Sequence, residues 1–206
     1  MEVILVNGSP IKNGCCERAL EEIAATLKAD GVDSLVYWLG DNPIADCKAC
    51  GYCRVKGECV IKDGVQDFLA LAKDADGFIF AGPVYYGGIS GGLKSFLDRV
   101  FYSGGAVLRG KPGAAVVSCR RAGTTSAFDD INKFFSINEM PIVTSCYWNE
   151  VHGFTREDVE KDEEGLYTMR VLAHNMAYLL KALELAKEKG ITKTSEGKKP
   201  ITNFIR

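Results

Sequence analysis

Four cysteines lie close together with the spacing C-x2-C-x2-C-x5-C, at Cys47, Cys50, Cys53 and Cys59. Thiolates this close suit a cubane iron–sulfur cluster, because soft sulfur is the ligand that such clusters take and each iron needs one. Structural zinc is less favoured, since its cysteine pairs are usually separated by longer stretches. The spacing predicts one 4Fe–4S cluster, and the alternative is a loop of free thiols.

A second candidate site lies in the polar loop after the first apolar segment, 3–6, which is typical of a strand buried on both faces. Helical periodicity begins a few residues beyond this loop. A strand, a small loop and a helix together present backbone N–H groups and a positive helix end to a phosphate. An ordinary turn explains the same residues equally well. The groups available to a phosphate are Ser9, Lys12, Asn13 and Gly14.

The other apolar segments predict the elements that position these two sites. Strands are predicted at 3–6, 35–39, 77–81, 114–117 and 141–144. The intervening stretches show helical periodicity, including a helix whose apolar face starts at Ile89 and a long last helix over 166–183. Alternating strands and helices imply an α/β fold with a parallel sheet covered on both faces. We expect a flavodoxin-like, doubly wound sheet of five strands in the order 2-1-3-4-5, with FMN at the carboxyl ends of the strands.

Three segments resemble those of a known family. Gly8-Ser9-Pro10-x-Lys12-Asn13-Gly14 resembles the phosphate loop of flavodoxin-like NAD(P)H-dependent FMN reductases, and 82–86 with 93–99 resemble that family's second signature. The cysteine segment is similar to the family's iron–sulfur flavoprotein branch. The resemblance covers most of residues 1–145 and implies FMN as cofactor and NAD(P)H as cosubstrate. The chain has Cys15-Cys16 where many members carry Asn-Thr or Asn-Ser, so we expect backbone N–H groups to bind phosphate there.

The loop after the third strand is where the resemblance places the flavin ring. Proline restricts the backbone at the start of this loop, and glycines let a flat ligand approach closely. Backbone N–H groups can bond the ring's N5 and carbonyl oxygens, and a tyrosine can cover its edge. The alternative is that the tyrosines are core or interface residues. The predicted contacts are Pro83, Val84, Tyr85, Tyr86, Gly87 and Gly88.

The loop after the fourth strand is small, polar and twice basic. We expect Ser118, Arg120 and Gly123 to lie near the flavin. An arginine here can bind a phosphate of a nicotinamide nucleotide. For Arg121, a solvated surface position is an equally good explanation.

An aromatic loop with a histidine follows the predicted fifth strand. Trp148 and His152 are candidates for the pocket of a flat substrate. A lone histidine is more often a structural hydrogen-bonding residue than an acid, and we expect that role for His174. Asp98 and Arg99, late in their helix, are most simply a local ion pair or an interface pair.

Composition and charge limit the classes of partner. The chain has 206 residues, 25 lysines and arginines, 27 aspartates and glutamates and a net charge of −2, so we expect no long-range electrostatic attraction to nucleic acid or to an anionic membrane. Eight cysteines in a chain of this kind favour metal or redox chemistry in a reducing compartment over disulfides. We expect a cytoplasmic protein with a single domain over 1–206, a cysteine-rich insertion around 43–62 and a loose tail from about 190.

These features together predict an FMN-dependent NAD(P)H oxidoreductase. Flavin carries the chemistry, so no catalytic side chain is required. The acceptor is a small molecule such as a quinone, free flavin or azo or nitro compound, with the cluster as a one-electron relay where it is present. An open flavin face predicts a homodimer or homotetramer. The alternatives are an iron–sulfur flavoprotein electron carrier without NAD(P)H activity, and a cysteine-based redox sensor.

Overall fold

The structure is a computed structural model that describes residues 1–194, 196–197 and 200–202. The strands are β1 (Glu2–Asn7), β2 (Asp33–Trp38), β3 (Gly77–Tyr85), β4 (Gly88–Ile89), β5 (Gly113–Cys119) and β6 (Glu150–His152). The helices are α1 (Cys15–Ala29), α2 (Tyr52–Lys56), α3 (Gly64–Ala72), α4 (Gly91–Leu108), α5 (Thr124–Ile137), α6 (Arg156–Val159) and α7 (Glu163–Glu188).

The parallel strands form a doubly wound sheet. From one edge to the other their order is β2-β1-β3-β5-β6. This arrangement confirms the flavodoxin-like α/β fold, and the difference from the predicted order is the additional short strand β4, which pairs antiparallel with the end of β3. The carboxyl ends of the parallel strands share one edge, so the loops after β1, β3 and β5 meet there.

The prediction of a fifth strand at 141–144 is wrong, because that segment makes only a single bridge between Ile142 and Gly113. The strand that completes the sheet is β6, which pairs with the far end of β5. A turn separates the two segments: the Ser145 hydroxyl donates to Asn149 Oδ1 (2.6 Å), and Asn149 Nδ2 donates to the carbonyl of Ala115 (2.9 Å). The side chain of Asn149 thus occupies the position on β5 where a ladder partner would bond.

Each face of the sheet has its own hydrophobic core. The buried residues of β1 alternate, with Val3 and Leu5 packing on one side and Ile4 and Val6 on the other. The first side is covered mainly by α1 and α7. The second is covered by α3, α4 and α5 and is rich in phenylalanine, including Phe68. Burial on both faces explains why the strands are continuous apolar runs.

The start of α4 differs from the sequence prediction, and the end of α7 marks where the predicted tail begins. Helix α4 begins at Gly91 rather than at Ile89, because Ile89 pairs with Val84 in the β3–β4 hairpin and Ser90 caps the helix. Helix α7 ends at Glu188, and 191–194 have no helix or strand. The remainder of the predicted tail lies partly outside the described residues. Among the described helices, none is both long and apolar enough to cross a membrane.

Candidate functional site

The loop after β1 is held in shape by Asn7, the buried last residue of the strand. Asn7 Oδ1 accepts a hydrogen bond from the N–H of Ser9 (3.0 Å). Asn7 Nδ2 donates to the carbonyl of Lys12 (3.3 Å) and to the carboxylate of Glu17 (2.6 Å). The Ser9 hydroxyl in turn accepts from the N–H of Ile11 (3.2 Å). These internal bonds fix the backbone of the loop without any help from a ligand.

The same loop leads into the N-terminus of α1, where Gly14 is the N-cap residue. Within the described residues no side chain caps this end. The first-turn N–H groups and the positive end of the helix dipole therefore remain available to an anion such as a phosphate. The Nζ atom of Lys12 lies 5.3 Å from the centre of the Trp38 ring, and Trp38 Nε1 donates to the carbonyl of Ser9 (2.8 Å). Asn13 is exposed on the same loop.

The two cysteines at the start of α1 direct their thiols into the protein. The Cys15 thiol donates to the carbonyls of Gly153 (3.5 Å) and Thr155 (3.3 Å). The Cys16 thiol and the Ser118 hydroxyl share a hydrogen bond of 3.1 Å. Burial raises the pKa of Cys16 to about 12, so this thiol stays protonated at neutral pH. The groups of Cys15 and Cys16 that stay available to a ligand are their backbone N–H groups.

The segment predicted to contact the flavin ring forms the turn of the β3–β4 hairpin. Its central residues, Tyr86 and Gly87, have φ angles of 52° and 79°, as in a type I′ turn. The side chains of Tyr85 and Tyr86 are exposed, so they are not core residues. Contact with a flavin and contact with a partner subunit remain as their possible roles. A tyrosine in the left-handed region carries backbone strain of the kind that occurs at binding sites.

The loops after β3 and β5 are in direct contact through Gly123. Its φ is +93°, and a Cβ at this position would lie 2.9 Å from the Cα of Gly87 and 3.0 Å from Cγ1 of Val84. A glycine is therefore required both by the backbone angle and by the space. In the same loop the Arg120 side chain is exposed, while Ser118, near the end of β5, is buried.

An open cleft of about 330 Å³ lies at this edge of the sheet. Ser90 joins two of its walls, because its hydroxyl donates to the carbonyl of Gly8 (3.4 Å) and accepts from the N–H of Leu93 (3.4 Å). The loop after β2, which the sequence analysis did not consider, forms a third wall. The cleft is lined by Gly8, Pro10, Leu39, Gly40, Asp41, Asn42, Pro43, Ile44, Tyr85, Ser90, Gly91 and Gly92.

Trp148 and His152 line a separate pocket of about 260 Å³. In the described part of the chain, it shares no lining residue with the cleft. The backbone N–H of His152 donates to Asp162 Oδ2 (2.6 Å). Glu150 and Glu164 also line the pocket, and carboxylates repel a phosphate-bearing nucleotide. The substrate-pocket assignment of Trp148 and His152 stays a prediction, and the acidic surroundings favour a neutral or cationic molecule.

The four cysteines of the C-x2-C-x2-C-x5-C segment all line one small cavity, whose inner wall is formed by Arg99, Tyr102 and Ser103 of α4. The cavity of about 20 Å³ has room for about one water, so a cluster would require the segment to open outwards. Cys47 and Cys50 are exposed, which places that movement on the solvent side.

The donor chemistry of this cavity fits a cluster better than a single ion. In the described residues, no group of three or more His, Cys, Asp or Glu has the geometry to hold one metal ion. In a cubane each cysteine binds a different iron, so its ligands lie further apart than those of a single ion. Four cysteines that line one cavity satisfy the first requirement of such a cluster.

Arg99 fastens both ends of the cysteine segment to α4. Its side chain is buried, and it donates to the carbonyls of Ala45 (3.3 Å) and Ile61 (3.0 Å) and to Asp63 Oδ1 (2.8 Å). Of the two interpretations of Asp98 and Arg99, an ion pair between them is wrong, because Arg99 pairs with Asp63. The two side chains leave adjacent positions of the helix in different directions, and Asp98 pairs with Lys94 at the surface.

Asp63 extends this fastening to the next helix. It is the N-cap residue of α3, where it forms a capping box with Gln66. Gln66 Nε2 donates to the carbonyl of Cys59 (3.0 Å), so the last cysteine is tied to the same cap. His174, by contrast, is half exposed on α7 with its Nδ1 2.6 Å from Asp30 Oδ2, which agrees with a structural role.

Fold and loops together define the class of flavodoxin-like α/β proteins with a ligand cleft at the carboxyl edge of the sheet. Residues 1–155 match the NADPH-dependent FMN reductase family, and the chain belongs to that family. Its curated relatives place it in the iron–sulfur flavoprotein branch. This family comprises flavin-dependent oxidoreductases and electron carriers.

Two relatives and one solved structure illustrate the likeness. An iron–sulfur flavoprotein of Methanocaldococcus jannaschii is 32% identical over 89% of this chain and 100% of its own length. An iron–sulfur flavoprotein of Methanosarcina thermophila is 28% identical over 92% of this chain and 100% of its own length. RosB, solved with bound 8-demethyl-8-formylriboflavin-5'-phosphate, has a TM-score of 0.70 at 10% identity, covering 100% of this chain and 92% of that chain, which is a likeness of fold.

The roles of three residues that shape the two sites were not predicted from the sequence. Asn7 was not singled out, although an asparagine that ends a buried strand is well placed to bond the loop beyond it. Ser90 had the sequence signal of an N-cap, a serine just before an apolar-periodic stretch. Arg99 carried no local signal, because its partners at 45, 61 and 63 are far away in the sequence.

Proposed function

We propose that this protein is an FMN-dependent oxidoreductase that takes electrons from NAD(P)H and passes them to a small acceptor, with one 4Fe–4S cluster at Cys47, Cys50, Cys53 and Cys59. The acceptor class is that of quinones, free flavins and azo or nitro compounds. Membership of the family and the preformed loop after β1 support FMN. The shared cavity of the four thiols and the iron–sulfur flavoprotein relatives support the cluster.

The observation that carries this proposal is the position of α4. Its N-cap residue and first two residues, 90–92, line the cleft, and Arg99, Tyr102 and Ser103 of the same helix line the cysteine cavity. Positions 92 and 99 are separated by a distance of about 10 Å along a helix. Cofactors bound at the two sites would therefore be held on one rigid element at a separation short enough for electron transfer.

In this proposal the residues of the chain bind and orient, while bound FMN supplies hydride chemistry and the cluster supplies single-electron transfer. The N-terminus of α1 binds the phosphate together with Ser9 and Lys12. The backbone N–H of Gly87, at the tip of the hairpin, would bond the flavin ring, since the N–H of Gly88 faces Tyr85 across the turn. The exposed Arg120 side chain, in the loop after β5, would bind a phosphate of NAD(P)H.

Anaerobic purification followed by absorption spectroscopy and iron and sulfide analysis tests both cofactors. We expect flavin bands with a broad iron–sulfur shoulder, and about four irons and four sulfides per chain. Cys50→Ser should lose the iron and keep the flavin. Cys146→Ser, which changes an exposed cysteine outside the segment, should keep both. A protein that retains flavin but binds negligible iron would contradict the cluster and leave the flavin reductase proposal standing.

A second candidate is an electron carrier that does not use NAD(P)H. The acidic pocket beside β6 favours it, because Glu150, Asp162 and Glu164 oppose binding of a nucleotide phosphate there. Steady-state oxidation of NADH and of NADPH by the flavin-loaded protein distinguishes the two. Turnover with either nucleotide supports the reductase, and flavin reduction by a low-potential protein donor alone supports the carrier.

The same geometry leads us to propose a homodimer or homotetramer. Tyr85, Tyr86, Tyr147 and Trp148 are all exposed near the carboxyl edge of the sheet, where a second subunit would cover them. Sedimentation of the flavin-loaded chain at micromolar concentration tests the assembly. A monomer under these conditions contradicts it.

A further inference from the structure

The bonding of the buried arginine beside the cysteine cavity is incomplete. An arginine has five N–H donors. In the described residues, Nη1 donates to the carbonyl of Ala45 and to Asp63, and Nη2 donates to the carbonyl of Ile61 and to Asp63. Four donors are therefore engaged, while Nε of Arg99 is buried without a hydrogen-bond partner. Buried donors are almost always bonded, so this N–H indicates a missing acceptor.

The surroundings of Arg99 show what kind of acceptor is missing. The residue is 1% exposed and forms part of the cavity wall that faces the four cysteines. Burial acts to lower the pKa of Arg99, but the neighbouring Asp63 and Cys59 raise it above its ordinary value. Cys59 lines the same small cavity as Arg99, so a cysteine sulfur is the nearest class of acceptor still available to Nε.

We propose that Arg99 tunes the iron–sulfur cluster: its Nε–H donates a hydrogen bond to a cluster sulfur, either Cys59 Sγ or an inorganic sulfide. Hydrogen bonds to the sulfurs and local charge are the protein's means of setting a cluster's potential. A donor with a positive charge stabilises the form with one more electron. Arg99 therefore raises the reduction potential of the cluster. This inference rests on the proposed function, because it needs a cluster at these cysteines.

The charges around the guanidinium define how variants should behave. Asp63, whose carboxylate binds Arg99, acts in the opposite direction by disfavouring the added electron. Lys48 also lines the cavity but is exposed, so solvent screens its charge. Removing the charge of Arg99 should lower the potential, and removing that of Asp63 should raise it. Shifts of opposite sign in the reduction potential would not result if Arg99 and Asp63 acted only by holding the segment in place.

The test is an anaerobic redox titration of the cluster, followed by electron paramagnetic resonance, in wild type, Arg99→Gln and Asp63→Asn. Asparagine keeps an oxygen for the α3 cap and for Arg99. At a fixed potential we expect Arg99→Gln to reduce the ratio of reduced to oxidised cluster about tenfold, which is about 59 mV for one electron. Asp63→Asn should increase that ratio. Unchanged midpoints, or shifts of the same sign, in loaded variants overturn the proposal.

A second measurement examines the hydrogen bond itself. Arg99→Lys keeps the positive charge and removes the Nε–H. Pulsed electron paramagnetic resonance of the reduced cluster in D2O should show an exchangeable deuteron coupling in wild type that is missing from Arg99→Lys. A coupling that is identical in the two proteins overturns the proposal, and this holds even if Arg99→Gln does not retain its cluster.

Iron analysis separates the failure of this inference from that of the proposed function. A wild-type chain that binds no iron overturns the cluster and the role of Arg99 together. A fully loaded wild type whose potential and deuteron coupling do not depend on Arg99 overturns only the inference.

Discussion

The loop after β1 and the cysteine segment obtain their shapes in different ways. In the first, Asn7 and Ser9 bond to backbone groups of the loop itself, and the two ends of the loop, at Gly8, Ser9 and Gly14, are buried. In the second, most residues from 45 to 60 are exposed, and the short helix α2 is flanked by Gly51 and Gly57 with φ angles of 71° and 76°. Its strongest ties are at its ends, where Arg99 bonds the chain.

This difference corresponds to what each region would bind. A loop fixed by internal bonds presents its N–H groups to a phosphate without paying an ordering cost on binding. A segment whose hydrogen bonds to α4 lie at its ends keeps a more adjustable centre, where the contact with α4 is that of Arg54 over the Tyr102 ring. Iron–sulfur bonds would be strong enough to offset the cost of ordering it. We therefore expect substitution of Asp63, the partner of Arg99, to affect the cysteine segment, and substitution of Asn7 to affect FMN binding.

The largest effect is expected from Asp63→Ala, which leaves the buried Arg99 guanidinium without its counter-charge. Breaking a buried pair in this way costs about 3–5 kcal/mol, and the α3 cap is lost as well. Urea unfolding of the cluster-free chain should show this loss of stability. The cysteine segment should become more susceptible to proteolysis, while FMN binding is retained.

Asp98→Ala is the matched control for this variant. It removes a carboxylate that pairs with Lys94 on the surface of α4, where both side chains are partly exposed. Such a pair contributes about 0.2–1 kcal/mol. Equal losses of stability in Asp63→Ala and Asp98→Ala would show that the end of the segment is not held by the buried pair.

Asn7→Ala tests the other side of the comparison. The change leaves the buried N–H of Ser9 without its acceptor, at a cost of about 1–3 kcal/mol. We expect the Kd for FMN to rise about tenfold, because the loop must then be ordered on binding. Cluster content should not change. Asn175→Ala, which removes a surface hydrogen bond to Thr144, is the control and should bind FMN normally.

Features that depend on local residue patterns could be predicted from the sequence, and features that depend on distant partners could not. The strands and the loops after β1, β3 and β5 were predictable, because they depend on apolar periodicity and on turn residues within a few positions. The strand that pairs with the end of β5 was not predictable. The side chain of Asn149 bonds to the carbonyl of Ala115 in β5, where a continuous strand from 141–144 would otherwise pair. The burial of Arg99 depends on partners more than thirty residues away, which no local pattern encodes.

Comparing Gly123→Ala with Gly110→Ala should distinguish the effect of the contact between two loops on FMN binding from the effect of backbone strain. An alanine at φ +93° costs about 1 kcal/mol and also places its Cβ against Gly87, which displaces the hairpin. Gly110→Ala carries the strain alone, because φ is +77° and no atom lies within 4 Å of the new Cβ. FMN affinity measured by fluorescence titration should fall only in Gly123→Ala. Equal affinities would mean that the flavin does not need this contact.

The smallest effect concerns the thiols of the two regions. Burial raises the pKa of Cys16 from 9.0 to about 12. Above pH 9 the unfolded chain loses this proton while the folded chain keeps it, so the folded state loses stability as pH rises towards 12. Between pH 8 and pH 10 the contribution is about 1 kcal/mol. Cys47 and Cys50 are exposed and should be alkylated readily in the cluster-free protein, unlike Cys16.

Cys16→Ser isolates that contribution, because serine can keep the hydrogen bond to Ser118 and does not ionise in this range. Urea unfolding of wild type and variant at pH 8 and pH 10 gives the difference directly. Other groups titrate over the same interval, but they do so in both proteins and cancel in the comparison. We expect wild type to lose more stability than Cys16→Ser. Parallel losses would mean that the Cys16 thiol is accessible enough to ionise in the folded chain, and that the loop after β1 is less fixed than its hydrogen bonds indicate.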